Sequence, residues 1–270
     1  MGFQKDLFGL EELSPEEIRY LLRAADTMKY VLRQKKQKAP HLQGKSVILL
    51  FYEPSARGKL SFELAAQHLC ANVVDMTGSS KADSVSSLQD MGQLIDQMGA
   101  DFIILRHGMA GAPKLLAKYV EASVINAGDG YHENPGQALL DLLTIQERKG
   151  SFAGLKVAVI GDILHSRLAK SDIWGLTKLG AEVRVSGPPT LVLPEVERLG
   201  VQYFYDASEA VRQADVILTT RLEPESLDGL YLPSFDEYKQ FFRIDEKRIR
   251  LAKPDVIIMH PGPVRKGIEI

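Results

Sequence analysis

Short runs rich in β-branched and apolar residues recur along the whole chain, each followed by a segment of helical length, and this alternation limits the fold more than any other feature. SVILLFY (46–52), ANVVDM (71–76), DFIILR (101–106) and SVINAG (123–128) form a first series; KVAVIGD (156–162), AEVRVSGP (181–188), QYFYD (202–206), DVILTTR (215–221) and DVIIMH (255–260) form a second. Strands joined by helical crossovers run parallel. The runs are near-continuously apolar rather than alternating, so both faces of each sheet are covered. Between the two series, Asn134 to Lys149 carries apolar residues at helical spacing, and SFAGL then breaks the pattern. We read this helix as a bridge between two α/β domains, 1–133 and 134–270, each a doubly wound parallel sheet. With 270 residues, 45% of them hydrophobic, the chain is long enough for two cores.

A formal net charge of -2 leaves no basic field to hold a polyanion, so nucleic acid is not expected as a partner. No apolar run is long enough for a bilayer, and MGFQKDLFGLEELSPEEI has neither the basic start nor the apolar centre of a signal peptide, so no membrane partner is expected. A single cysteine, Cys70, precludes an internal disulfide, fits a reducing cytoplasmic setting, and falls in a helix-like stretch that predicts a buried, inert thiol. Helix starts are predicted at Ser14-Pro15-Glu16-Glu17 and at Ser55, and a flexible loop over SSKADSVSS (79–87).

Ligands of open parallel sheets bind beyond the carboxyl ends of the strands. The polar residues directly after the strand runs are therefore the candidates: Ser55 and Arg57, Arg106 and His107, His132 to Gln137, His165 to Arg167, Arg221, and His260 to Pro263. A helix opening at Ser55 would point unpaired N–H groups at the strand end, and Arg57 adds a forked donor, which together suit a phosphate or carboxylate. The alternative is a capped helix whose Arg57 and Lys59 are merely solvated. Arg106, Arg167 and Arg221 would face one crevice, and three guanidiniums without matching acids call for an anionic ligand. GDILHSR (161–167) lacks the G-x-G-x-x-G fingerprint, and Ile163, Leu164 and His165 would block a pyrophosphate, so NAD is discounted. No metal-ligand spacing occurs, and neither metal nor cofactor is expected. His132 and His165 read more readily as satisfied loop histidines than as catalytic bases.

FYEPSARGKLSFE (51–63), INAGDGYHENPGQALLDLLTI (125–145), LKVAVIGDILHSRLAKSDIWGLTKLGAEVRVSGPPTL (155–191) and MHPGPVRKGIEI (259–270), in this order, resemble the aspartate and ornithine carbamoyltransferases, the aspartate branch above all. The resemblance implies two doubly wound domains around a central cleft, assembled as a homotrimer. It implies carbamoyl phosphate or phosphate in the first domain, held by Ser55, Arg57 and Arg106. Gln137 with the backbone around Pro261 and Gly262 would seat the carbamoyl NH2 group. Arg167 and Arg221 would clamp the carboxylates of a small anionic amino acid.

The sequence departs from that family at several of these positions. The family's Ser-Thr-Arg-Thr-Arg reads Ser55-Ala56-Arg57-Gly58-Lys59, the His that polarises the carbonyl falls on Asn134, and the Thr beside it on Gly136. A loop Lys that the family supplies from a neighbouring subunit falls on Ser84 without gaps, or on Lys81 with a three-residue insertion. The Gln expected after Arg221 falls on Glu223, near the incoming amino acid. The closing helix with which the family returns to its first domain would lie beyond Ile270. The departures lead us to expect an aspartate-carbamoyltransferase-like enzyme with altered chemistry at the carbamoyl or ureido position and weakened use of carbamoyl phosphate. The alternatives are the ordinary aspartate carbamoyltransferase, making N-carbamoylaspartate, and a non-catalytic homologue acting as a partner or regulatory subunit.

Overall fold

The structure, a computed structural model, describes residues 4–34, 38–77, 85–222, 232 and 234–270. The chain divides into two compact units, residues 1–136 and 137–270. In the first, β1 (Ser46–Phe51), β2 (Asn72–Asp75), β3 (Phe102–His107) and β4 (Ser123–Asp129) pair in the order β2-β1-β3-β4. In the second, β5 (Lys156–Ile160), β6 (Glu182–Ser186), β7 (Gln202–Phe204), β8 (Val216–Thr219) and β9 (Ile257–Met259) pair in the order β7-β6-β5-β8-β9. Every pairing is parallel, as the apolar runs predict.

In the first sheet β1, β3 and β4 bury both faces, which is why their sequence runs are apolar without alternation, while the edge strand β2 is largely exposed. Ile48, Leu50, Ile103, Leu105 and Val124 pack with Leu88, Ile95 and Leu116 on one face. Val47, Leu49, Phe51 and Ile104 pack with Ala66 and Phe62 on the other. Helices α2 (Ala56–His68), α3 (Val85–Gln97) and α4 (Ala112–Leu116) supply these layers. In the second unit Ala158, Ile160 and Ile217 lie in one core with Leu191, Ala207, Val211 and Tyr238.

Helix α1 (Pro15–Arg33) begins where the sequence signals it, with the full capping box: Ser14 Oγ accepts from Glu17 N, and Glu17 accepts from Ser14 N at 2.8 Å. Helix α5 (Pro135–Lys149) follows β4, and the boundary between the units falls in its first turn. Two local expectations are corrected. Cys70 is not helical: it follows the end of α2 with φ 64° and is half-buried. Residues 85–87 open helix α3 rather than continuing a loop; the rest of the 79–87 segment lies outside the described residues.

Candidate functional site

The strand orders explain why the polar residues cluster. In each sheet the chain steps outward to one side, then returns to the other, so neighbouring loops part at a switch point: β1/β3 in the first unit and β5/β8 in the second. Ser55 and Arg57 follow β1, and Arg106 is the next-to-last residue of β3. Asp162 to Arg167 follow β5, and Thr220 and Arg221 follow β8.

Arg106 is aimed by an irregularity in its own strand pairing. Leu105 lies opposite Asn126 and His107 opposite Asp129, so two residues of β4, Ala127 and Gly128, face the single Arg106. Such a bulge re-aims a side chain, and Gly128 takes φ 116° there. The guanidinium donates to the Ala127 carbonyl at 3.2 Å and pairs with Glu53 at 3.4 Å. His107, buried beside Tyr52, accepts from Met109 N at 2.9 Å and is a structural residue.

Ser55 occupies the N-cap position of α2, as expected, but its hydroxyl makes no capping bond. A side chain at Gly58 would come within 2.7 Å of Ser55 Oγ, so the glycine makes room for that hydroxyl. Arg57 is exposed in the first turn. Lys59 is paired with Asp75 at the end of β2; burial pushes the Asp75 carboxyl up, but bonds from Lys59 and Thr77 outweigh it and hold it at about 2. Lys59 is thus not simply solvated.

Asn134 sits just before Pro135, at the start of α5, and the turn that carries it is heavily braced. Asp129, buried, accepts from Gly111 N (2.6 Å), Asn126 Nδ2 (2.7 Å) and Glu133 N (3.2 Å). Glu133, also buried, accepts from Leu10 N at 2.7 Å and Glu11 N at 3.0 Å. Gly9 approaches so closely that a Cβ there would overlap the Glu133 carboxylate. His132 stacks no chemistry on this brace: its Nδ1 lies 3.1 Å from Asp129, whose hydrogen bond raises the imidazole pKa against the effect of burial. Glu11, His132 and Glu133 have ligating atoms within 4.8 Å of one another, but the Glu133 carboxylate is already committed to two backbone N–H groups.

In the second unit, the GDILHSR loop is built around Asp162. Its carboxylate accepts from His165 N at 2.9 Å and lies 2.9 Å from His165 Nδ1, while Asp162 N donates to Thr220 Oγ1 at 2.7 Å. Gly161 has φ 127°, and a Cβ there would meet Thr220 Oγ1 at 2.3 Å, so only glycine fits. Ile163 is fully buried, which makes this a packed loop rather than a phosphate cradle. Ser166 caps α6 (Arg167–Lys178), placing Arg167 at its first position. Gln137 Nε2 donates to Asp141 at 3.2 Å.

Sequence reasoning missed Glu269. It is buried, and its carboxylate joins three loops: Oε1 accepts from Leu222 N at 2.8 Å, and Oε2 accepts from Arg265 N at 2.7 Å and lies 3.0 Å from His260 Nε2. His260 Nδ1 in turn accepts from Gly262 N at 2.7 Å. One carboxylate thereby fixes the backbone next to Arg221 and the His260-Pro261-Gly262 turn. A lone Glu 9 positions from His260 and 47 from Leu222 gives no signal before the fold is known. Lys81 and Glu223 lie outside the described residues.

The electrostatics of the helix starts agree with anion binding. Helices α2, α5 and α6 have no acid in their first turns, and Arg57 and Arg167 stand at the positive ends of α2 and α6. By contrast α1 opens with Glu16 and Glu17, the usual complement to a helix dipole. Cations at helix N-termini are unfavourable by themselves, and an anionic ligand removes the conflict.

Two parallel-sheet α/β units, with acid-free helix starts at the strand ends and Arg57 and Arg167 at two of them, define the class of the fold. Residues 5–147 match the family described as aspartate/ornithine carbamoyltransferase, carbamoyl-P binding domain, and residues 153–270 match its Asp/Orn binding domain. The chain belongs to the aspartate/ornithine carbamoyltransferase family. It is 55% identical over 267 residues to the aspartate carbamoyltransferase catalytic subunit of Acetivibrio thermocellus, covering 98% of this chain and 86% of that one. It is 53% identical to the protein of that name from Ruminiclostridium cellulolyticum, covering 98% and 85%. Among solved structures, aspartate transcarbamoylase from Trypanosoma cruzi in complex with carbamoyl phosphate and aspartate superposes with a TM-score of 0.83 at 30% identity, covering 97% of this chain and 86% of that one. Ornithine carbamoyltransferase from Pyrococcus furiosus superposes with a TM-score of 0.85 at 28% identity, covering 98% and 86%. The expectation of altered chemistry at the carbamoyl position draws no support from these relatives, whose names favour the ordinary activity.

Proposed function

We propose that the chain catalyses transfer of the carbamoyl group of carbamoyl phosphate to the amino group of aspartate. The observation that carries this reading is the 55% identity, over nearly the whole chain, to a protein named for that activity. The first unit takes the donor: Ser55, Arg57 and the start of α2 hold phosphate, while Arg106 and Asn134 donate to the carbonyl oxygen. The second unit takes the amino acid through Arg167 and Arg221, with Gln137 and the Pro261-Gly262 backbone positioning the carbamoyl NH2. The amine nitrogen attacks the carbonyl carbon, a C–N bond forms, the C–O bond to phosphate breaks, and the amine gives up a proton. The protein's work is orientation and stabilisation of the developing oxyanion.

A second reading, weakened use of carbamoyl phosphate, is favoured by the α2 start: Gly58 carries no hydroxyl, and the Lys59 ammonium is engaged by Asp75. Each preorganised donor lost at an oxyanion costs about 3 kcal/mol. Thermal midpoints measured with carbamoyl phosphate, aspartate, and both together separate the readings by linkage. Stabilisation by carbamoyl phosphate alone, and more by both, supports the ordinary enzyme. A shift with aspartate only supports the second reading. No shift with any of them overturns both and leaves the non-catalytic homologue.

A further inference from the structure

The second unit contains a cavity, bordered on one side by Pro261, whose acidic wall has no role in the proposed transfer. It has a volume of about 20 Å³ and is bounded by Asp141 of α5, Ser166 and Asp172 of α6, Thr219 and Thr220 after β8, and Met259. That is room for one water-sized occupant. Asp172 is only 3% exposed, and its Oδ1 has no hydrogen-bond partner. Asp141 is buried as well. No Lys or Arg is among the described residues lining the cavity. His260, at its edge, is already committed to Glu269 and to Gly262 N.

A buried carboxylate with an unsatisfied oxygen must be neutralised by a proton or a cation. We propose that the cavity binds a single monovalent cation of about a water's size, of the potassium or ammonium class, with Asp172 and Asp141 as its countercharge. The hydroxyls support an oxygen-ligand site. Thr219 Oγ1 donates its proton to the Met259 carbonyl at 3.2 Å, which leaves its lone pairs directed elsewhere. A divalent ion fits less well: calcium wants six to eight oxygens and magnesium an octahedron with retained waters. Among the described residues, the close grouping of three ligating side chains lies elsewhere, at Glu11, His132 and Glu133.

Burial raises the Asp141 carboxyl to about 6 against the Gln137 hydrogen bond, and burial and then the Asp141 charge raise Asp172 further. Protons and cation therefore compete, and the test belongs at about pH 8, above the raised Asp141 range. The intact protein is melted in potassium, ammonium or calcium chloride, with tetramethylammonium chloride, too large for the cavity, holding ionic strength constant. Potassium or ammonium should raise the midpoint by several degrees in a saturable manner, the larger response identifying the better fit. Asp172→Asn should fold and lose that increment. Crystals soaked in thallium should show anomalous density beside Asp172, a readout independent of the variant. Equal midpoints in potassium, ammonium and tetramethylammonium, an increment undiminished in Asp172→Asn, a response to calcium alone, or thallium only at other positions would each overturn the proposal.

Discussion

Arg106 combines a strand-end position, a bulge that aims it and a carbonyl bond that holds it, so its loss should be felt in rate more than in folding. Arg106→Ala is expected to lower turnover about 100-fold to 1,000-fold, the typical effect of removing one oxyanion donor. Arg106→Lys should not restore it, since an ammonium cannot reproduce the forked geometry; steady-state rates on both variants check this. The family's departures can be tested in the opposite direction. At Gly136 a Cβ would meet only the Phe62 ring at 3.4 Å, an ordinary contact, whereas Gly58 has Ser55 Oγ at 2.7 Å. The double change Asn134→His with Gly136→Thr should therefore be accommodated and raise turnover about tenfold, because an imidazole replaces an amide that already donates in part. Asp141 gives a pH prediction with a definite sign. Its folded pKa is raised from 3.8 to about 6, so its contribution to stability is full below the lower value and lost as pH rises through the upper. In buffer lacking small cations, the wild type should lose on the order of 2–3 kcal/mol across that window relative to Asp141→Asn. Denaturant unfolding at several pH values measures it.

The elements themselves were largely legible. Apolar runs gave the strands: in the central ones burial of both sheet faces leaves no polar alternation, whereas the outer strands β2, β7 and β9 are less buried; the Ser14-Pro15-Glu16-Glu17 signature gave the start of α1. Ser14→Ala should cost about 1 kcal/mol, read as a shift in the denaturation midpoint, as the hydroxyl's bonds with Glu17 N and the Glu17 carboxylate are lost while the bond from Ser14 N to Glu17 remains. Strand-end polar residues gave most of the candidate site, since parallel connectivity sends ligands to those ends. What stayed hidden depends on long-range contact. The two-against-one pairing at Arg106 is a property of register between β3 and β4, and the Glu133 clamp on Leu10 and Glu11 joins positions far apart in the chain. The alternative of a capped α2 is not met: the Ser55 hydroxyl makes no capping bond to the first N–H groups, with φ and ψ of -157° and 76° at that residue. Cys70 was read as helical because its neighbours are apolar and periodic; a positive φ at the helix end has no such pattern.

At the level of the whole molecule, both units use one device: buried carboxylates that fix loop backbone next to a candidate site residue. Glu133 and Asp129 do this ahead of Asn134, and Glu269 does it beside Arg221 and Pro261. Glu269→Gln keeps the shape but weakens three charge-assisted bonds, so we expect a raised KM for aspartate with little change in the KM for carbamoyl phosphate, a split that general destabilisation would not give. The central claim is that these braced, basic strand ends carry out carbamoyl transfer to aspartate. Its most direct test is the initial rate of N-carbamoylaspartate formation as each substrate is varied in turn. The account predicts saturable product formation with both substrates present; no product above the uncatalysed background at saturating concentrations of both would contradict it.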